Sequence, residues 1–204
     1  MDSSHYQDIP FELIINKAVV LDPSLDRQGS YTRKDLMEFP AHKRMQLING
    51  YLILPSPVSA IHQRIIAELL YQWTNYIKEA QLPYKAVTSP VRFSRKGDDR
   101  TVLIPDFAVV RYPGRILHAD LSVLPSFVAE VTTPGTNCLD HLIKPRIYKE
   151  WGVREYWIIN PQTSSVEVYT FTDSASDSPG PAAVYPFGSR IPVKSHTGFS
   201  VYSV

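Results

Sequence analysis

The chain has 204 residues, of which 44% are apolar and 20% charged, the proportions of a folded domain rather than of a disordered or fibrous chain. No uninterrupted apolar run is longer than four residues, the start from Met1 to His5 lacks the basic and apolar stretches of a secretory signal, and the single Cys138 cannot build a disulfide framework or a thiolate zinc site. The chain is therefore expected to be soluble and cytoplasmic, with no membrane partner. Its net charge of +1 hides an uneven distribution: residues 1–40 carry a net −3 and residues 41–115 a net +6. A basic middle third suits a polyanion such as DNA, and it also suits an ordinary solvated face.

In chain order, residues 31–39 fit a short helix with Thr32 as its cap. Residues 45–48 and 51–54 flank Asn49-Gly50, a pair that readily adopts the left-handed conformation a two-residue hairpin turn requires. Ser59 is placed to cap a helix running to about Glu79, with an apolar stripe of Ile61, Ile65, Leu69, Trp73, Tyr76 and Ile77. Residues 86–93 and 102–110 are β-rich and joined by a turn at 95–100, and 127–132 reads as a further strand. Residues 140–151 suggest a helix, and 155–160 and 166–171 a hairpin around Pro161-Gln162. The low-complexity stretch 172–183 reads as a mobile loop between two C-terminal strands. This order predicts an α/β or α+β domain with one central sheet.

Two carboxylates stand out because their neighbours are apolar: Asp106 within 102–110 and Glu130 within 127–131. A buried acid is costly unless it is paired, protonated or bound to a metal. Two acids on sequential strands can converge at one sheet end, where they repel by roughly 4 kcal/mol at ~4 Å and an effective dielectric near 20. A divalent cation removes that penalty, and oxygen-only ligands point to Mg²⁺ or Mn²⁺ rather than zinc. The competing reading pairs each carboxylate with a lysine or arginine. Thr132 lies two residues past Glu130, so alternation puts both on one face. Lys144 follows on the next helix, sharing a face with Asp140 and Tyr148. It could orient or deprotonate a water and stabilise a phosphoryl transition state, or simply form a surface ion pair with Asp140. Pro145 should kink this helix or mark its first turn.

The segments Met45-Gln46-Leu47-Ile48-Asn49-Gly50, His62 opening a helix, Pro105-Asp106 and Ala129-Glu130-Val131-Thr132-Thr133-Pro134 occur in that order. Asp140 with Lys144, and Tyr148 followed by Gly152-Val153-Arg154-Glu155-Tyr156-Trp157, complete the series. Together, over roughly residues 30–171, they resemble the bacterial Uma-two family of restriction-endonuclease-type proteins, within the PD-(D/E)XK nuclease superfamily. The resemblance implies a restriction-endonuclease-like core with a central mixed β-sheet flanked by helices. It divides the chain into an N-terminal extension (1–30), a nuclease-like domain (31–171), and a loop with C-terminal strands packed on the same domain (172–204).

It also implies roles. Asp106 and Glu130 would be the metal-binding acids. The lysine usually found two residues after the second acid is replaced by Thr132, and its role would pass to Lys144. His62 matches a family histidine, which could contact a phosphate or a neighbouring carboxylate, or be a satisfied helix-start residue. Tyr148, Gly152, Glu155, Tyr156 and Trp157 look structural. The family's hairpin strand commonly reads Glu-Leu-Ile-Asp-Gly-Glu, whereas this chain has Gln46, Asn49 and Tyr51 at the acidic positions. The expected function is a Mg²⁺- or Mn²⁺-dependent DNA endonuclease with Asp106, Glu130, Lys144, Gln46 and His62 at its site, acting as a homodimer. The alternatives are a catalytically inactive, nuclease-derived nucleic-acid-binding protein and a small-molecule metallohydrolase.

Overall fold

The computed structural model describes residues 25–112, 120–171 and 180–203, together with Ile15. Most of the N-terminal extension, and residues 172–179 of the segment read as a loop, lie outside the described residues.

Helix α1 (Arg33–Glu38) opens with a capping box, in which the Thr32 side chain accepts the Asp35 N–H and Asp35 accepts the Thr32 N–H at 2.7 Å. Strands β1 (Gln46–Ile48) and β2 (Tyr51–Ile53) pair antiparallel across Asn49 and Gly50, whose φ angles of 50° and 85° are those of the expected turn. Helix α2 (Ala60–Glu79) starts at Ser59, whose hydroxyl accepts the His62 N–H at 3.3 Å. Its buried face is His62, Ile65, Ile66, Leu69 and Trp73. Ile61, assigned to the stripe by spacing, is instead 39% exposed. The first turn of α2 turns His62, not Ile61, inward because a polar partner, Asp106, waits there.

The remaining strands are β3 (Tyr84–Thr88), β4 (Arg92–Phe93), β5 (Phe107–Arg111), β6 (Asp120–Leu121), β7 (Phe127–Val131), β8 (Glu155–Asn160), β9 (Ser165–Thr170), β10 (Ala183–Pro186), β11 (Arg190–Pro192) and β12 (Ser200–Tyr202). The β-rich stretch 102–110 becomes regular strand only from Phe107, since Val102 and Leu103 make single bridges to Leu47 and Phe93 and Pro105 has no N–H for a ladder. The central sheet runs β10-β9-β8-β7-β5-β3, with β7 and β8 parallel and the other pairs antiparallel. A parallel pair needs a crossover. Here a helical segment supplies it, as a π turn (Leu139–Ile143) leading into α3 (Lys144–Glu150). The Lys144 N–H donates to the Leu139 carbonyl, five residues back, and Pro145 has no N–H to offer. The helix takes up one extra residue in the π turn just ahead of the proline.

Alternation divides the sheet into two cores. One face carries Phe107, Val109, Phe127, Ala129 and Trp157 under α2, β11 and β12, with Trp73 at its centre. The other carries Ala108, Val110, Val128, Tyr156 and Ile158 under α3 and the β1–β2 hairpin. Trp73 and Trp157 are almost wholly buried, each worth about 4–6 kcal/mol at ~25 cal/mol/Å² over ~150–250 Å². The fold is therefore mixed α+β with a central mixed sheet flanked by helices, as expected. Among the described residues no helix is long and apolar enough to cross a membrane.

Candidate functional site

Strands β5 and β7 are antiparallel neighbours with Phe107 opposite Ala129, so Asp106 lies beside Glu130 and Val131 at one end of the sheet. Side chains replace the ladder there. The Val131 N–H donates to Asp106 Oδ2 at 2.9 Å, and the Asp106 N–H donates to Glu130 Oε2 at 3.2 Å. His62 reaches the same carboxylate from the first turn of α2, with Nε2 3.1 Å from Asp106 Oδ2. A carboxylate can only accept, so the imidazole is the donor. Of the two contacts open to His62, the structure shows the one to a neighbouring carboxylate. Its Nδ1 is buried without a partner among the described residues.

Lys144 comes in from the other face of the sheet. Its Nζ lies 2.9 Å from Glu130 Oε1 and 2.9 Å from Asp140 Oδ1, and all three side chains are only 2–3% exposed. The surface ion pair that spacing allowed between Asp140 and Lys144 is thus a buried bridge from helix to sheet, and Glu130 does pair with a lysine. Tyr148, which looked structural, donates its hydroxyl to Glu130 Oε1 at 2.8 Å. Tyr156 holds the Asp140 carbonyl at 2.9 Å. Asp140 and Tyr148 are the participants that sequence reasoning left out of the site. The signal for both was their spacing of four residues on either side of Lys144.

Burial pushes the Glu130 carboxyl up to about 7, with Asp106 and Asp140 adding to the effect and Lys144 opposing it. Burial alone would pull the Lys144 ammonium down, but Asp140, Glu130 and Asp106 outweigh it and hold the group above its ordinary value. Burial and Glu130 likewise raise the Tyr148 phenol, which therefore remains a donor. Three buried charges sharing contacts cost desolvation that only their mutual pairing offsets.

A cavity of about 470 Å³ opens at this end of the sheet, and Gln46, His62, Asp106, Glu130 and Lys144 all border it. Gln46 sits in the edge of the β1–β2 hairpin, its Oε1 accepting the Ile104 N–H at 3.1 Å. Thr132, in the slot of the usual lysine, is buried but does not line the cavity. Among the described residues no three His, Cys, Asp or Glu side chains are grouped as a ligand set. Asp106 and Glu130 offer oxygen donors only, and Asp106 Oδ1 accepts no hydrogen bond from the described residues. Two hard carboxylates fit an ion that keeps much of its water and takes the remainder of its shell from substrate, the habit of Mg²⁺. They do not fit the nitrogen- and sulfur-rich shell of zinc.

Comparison with known proteins agrees with this fold. The structure resembles the crystal structure described as a putative nuclease belonging to DUF820 from Anabaena variabilis ATCC 29413, with a TM-score of 0.58 and 17% identity, over 80% of this chain and 89% of that one. A search of curated proteins finds no match. The family Uma2, described as "Putative restriction endonuclease", matches residues 32–192, from the cap of α1 to the end of β11. On that match over most of its length, the chain belongs to the Uma2 family and carries its nuclease-like fold.

Proposed function

We propose that the protein is a Mg²⁺-dependent DNA endonuclease, with Mn²⁺ as an alternative ion. The observation that carries this reading is the pair Asp106 and Glu130 in the wall of one cavity, with an ammonium 2.9 Å from Glu130. Asp106 and Glu130 are the residues to hold the ion, which when bound polarises a phosphoryl oxygen and the attacking water. His62 fixes the Asp106 carboxylate through Nε2. Lys144, kept protonated by its acids, brings a fixed positive charge to the phosphate as negative charge develops on it, rather than serving as a base. Gln46 has its carbonyl committed to Ile104, so its amide NH₂ remains to donate to a substrate oxygen. If both strands of a duplex are cut, one site per chain calls for a homodimer.

Nicking of supercoiled plasmid tests the reading. Wild type should nick with Mg²⁺ and stop with a chelator, and Asp106→Asn should lose at least 100-fold in rate, about 2.7 kcal/mol of transition-state stabilisation. No metal-dependent nicking of the plasmid and no metal-dependent cleavage of a single-stranded circle by wild type, taken together, refute it.

A second reading has its own support: Lys144 already occupies Glu130 Oε1, and Gln46 is neutral where relatives commonly carry an acid. The chain would then be an inactive, nuclease-derived binding protein. Titration calorimetry with Mn²⁺ separates the two. Equal, negligible heats for wild type and Asp106→Ala, with DNA binding retained, decide for the second.

A further inference from the structure

Arg44 stands two residues before Gln46 and borders the same cavity. Its φ is +45°, in the left-handed region that a residue with a β-carbon adopts only against an energetic preference, and such positions gather at ligand sites. Its side chain has no acidic partner among the described residues. Among the described residues Lys144 is the other lysine or arginine on the cavity wall, and its ammonium is held at Glu130 and Asp140, so it serves the phosphate at those acids and not a neighbouring one. The acids would repel an incoming phosphodiester, so a guanidinium on the same cavity wall is suited to receive it.

The second observation is the size of the opening. A cavity of about 470 Å³ suits a guest the size of a nucleotide. The loops around Ser56 and Gly135 both wall it, and they touch: a Cβ built on Gly135 would lie 2.5 Å from Ser56 Oγ and 3.6 Å from Ser56 Cβ. Glycine allows that approach, which brings the two loops together in the cavity wall. A double helix is far wider than such a cavity, whereas one strand is not.

We propose that the cavity takes a single DNA strand and that Arg44 holds the backbone phosphate next to the one hydrolysed. The proposal rests on the nuclease reading above and narrows its substrate. Fluorescence polarisation of a short labelled single strand and of its duplex, with Ca²⁺ in place of Mg²⁺ to prevent turnover, tests it across a range of salt. Wild type should bind the single strand at least about tenfold more tightly than the duplex. Arg44→Gln should weaken single-strand binding about tenfold and reduce the slope of log affinity against log salt by about 0.7, the loss of one phosphate contact. Arg44→Gly frees the φ constraint and should melt no lower than wild type while binding as weakly as Arg44→Gln, a combination that a merely structural arginine does not produce. Wild-type affinity and salt slope in Arg44→Gln overturn the phosphate assignment. A duplex bound as tightly as the single strand overturns the strand preference and leaves the nuclease reading standing. Binding of neither probe, with no metal-dependent cleavage of plasmid or single-stranded circle, overturns both.

Discussion

Lys144 is the side chain on which the most buried charge depends. Removing it strands Glu130 and Asp140 without their shared cation, at a cost of about 3–5 kcal/mol. In a domain of this size that is a fall of about 10 °C in Tm for Lys144→Met. Mn²⁺ should then raise the Tm of Lys144→Met by more than it raises that of wild type, because the ion supplies the missing charge and binds only the folded chain. Equal Mn²⁺ shifts in the two proteins would detach Lys144 from the proposed metal site. Gln46 offers the converse experiment. In Gln46→Glu one carboxylate oxygen can keep the Ile104 N–H, and the second adds a negative charge beside Asp106 and Glu130. The metal-free variant should melt below wild type near neutral pH and recover with Mn²⁺. A metal-induced Tm shift no larger than that of wild type would place residue 46 outside the site.

The crossover helix is pinned to the sheet at a second point. His141, in the π turn, places Nδ1 2.8 Å from the Asn137 carbonyl and Nε2 3.2 Å from Glu167 Oε1 on β9. Burial pulls this imidazole down, but Glu167 and Asn137 outweigh it and leave it above its ordinary value, while His141 holds the Glu167 carboxyl below its own. A histidine raised on folding stabilises below its unfolded value of 6.5 and loses that contribution as pH rises through the higher folded value. A glutamate lowered on folding stabilises above 4.5 and loses it as pH falls through the lower one. The pair therefore contributes most between pH 4.5 and 6.5. Melting curves of wild type and Glu167→Gln should differ more at about pH 5.5 than at about pH 8.5, and equal differences would show that the latch does not carry the effect. Much of this element was legible in the sequence, because Pro145 announced a fault in the helix and Asp140, Lys144 and Tyr148 fell on one face. Which face pointed inward was not legible. Spacing of i,i+4 is the same for a solvated pair and a buried one, and Glu130 lies 14 residues from Lys144 in sequence but 2.9 Å away in space. Asn49-Gly50 and Ser59 were readable for the opposite reason: a left-handed turn and a helix cap are decided by the residues that form them.

At the scale of the molecule, the C-terminal strands are part of the core rather than an appendage to it. β10 extends the central sheet beside β9, Ile191, Val193 and Val201 are buried against Trp73 and Trp157, and Phe199 stacks on Tyr76 at 4.0 Å. Buried Glu155 accepts both the Ser195 N–H at 2.7 Å and the Trp157 indole N–H at 2.8 Å. A chain ending at residue 171 should accordingly bind a hydrophobic dye and lose its near-ultraviolet circular dichroism while keeping much of its far-ultraviolet signal. Cooperative unfolding of that truncation at the wild-type Tm would show the core complete without these strands. The sheet order itself could not be read from the sequence, since strand pairing is settled by contacts between distant segments. That Asp106 and Glu130 meet follows only once β5 and β7 are known to be neighbours. The expected homodimer, in turn, belongs to a duplex substrate, and a single-strand substrate removes the need for it.

The ammonium between Glu130 and Asp140 has a consequence for the life of the chain before any ion arrives. Lys144 is a resident counterion, so part of the negative charge at the sheet end is already offset when the polypeptide collapses. Folding need not wait on metal supply, and the nascent protein is not held hostage to the composition of its surroundings. On the metal-dependent reading proposed above, metal uptake would be an exchange, in which the ion competes with an existing partner for Glu130. Affinity would be surrendered for a site that stands ready without an ion.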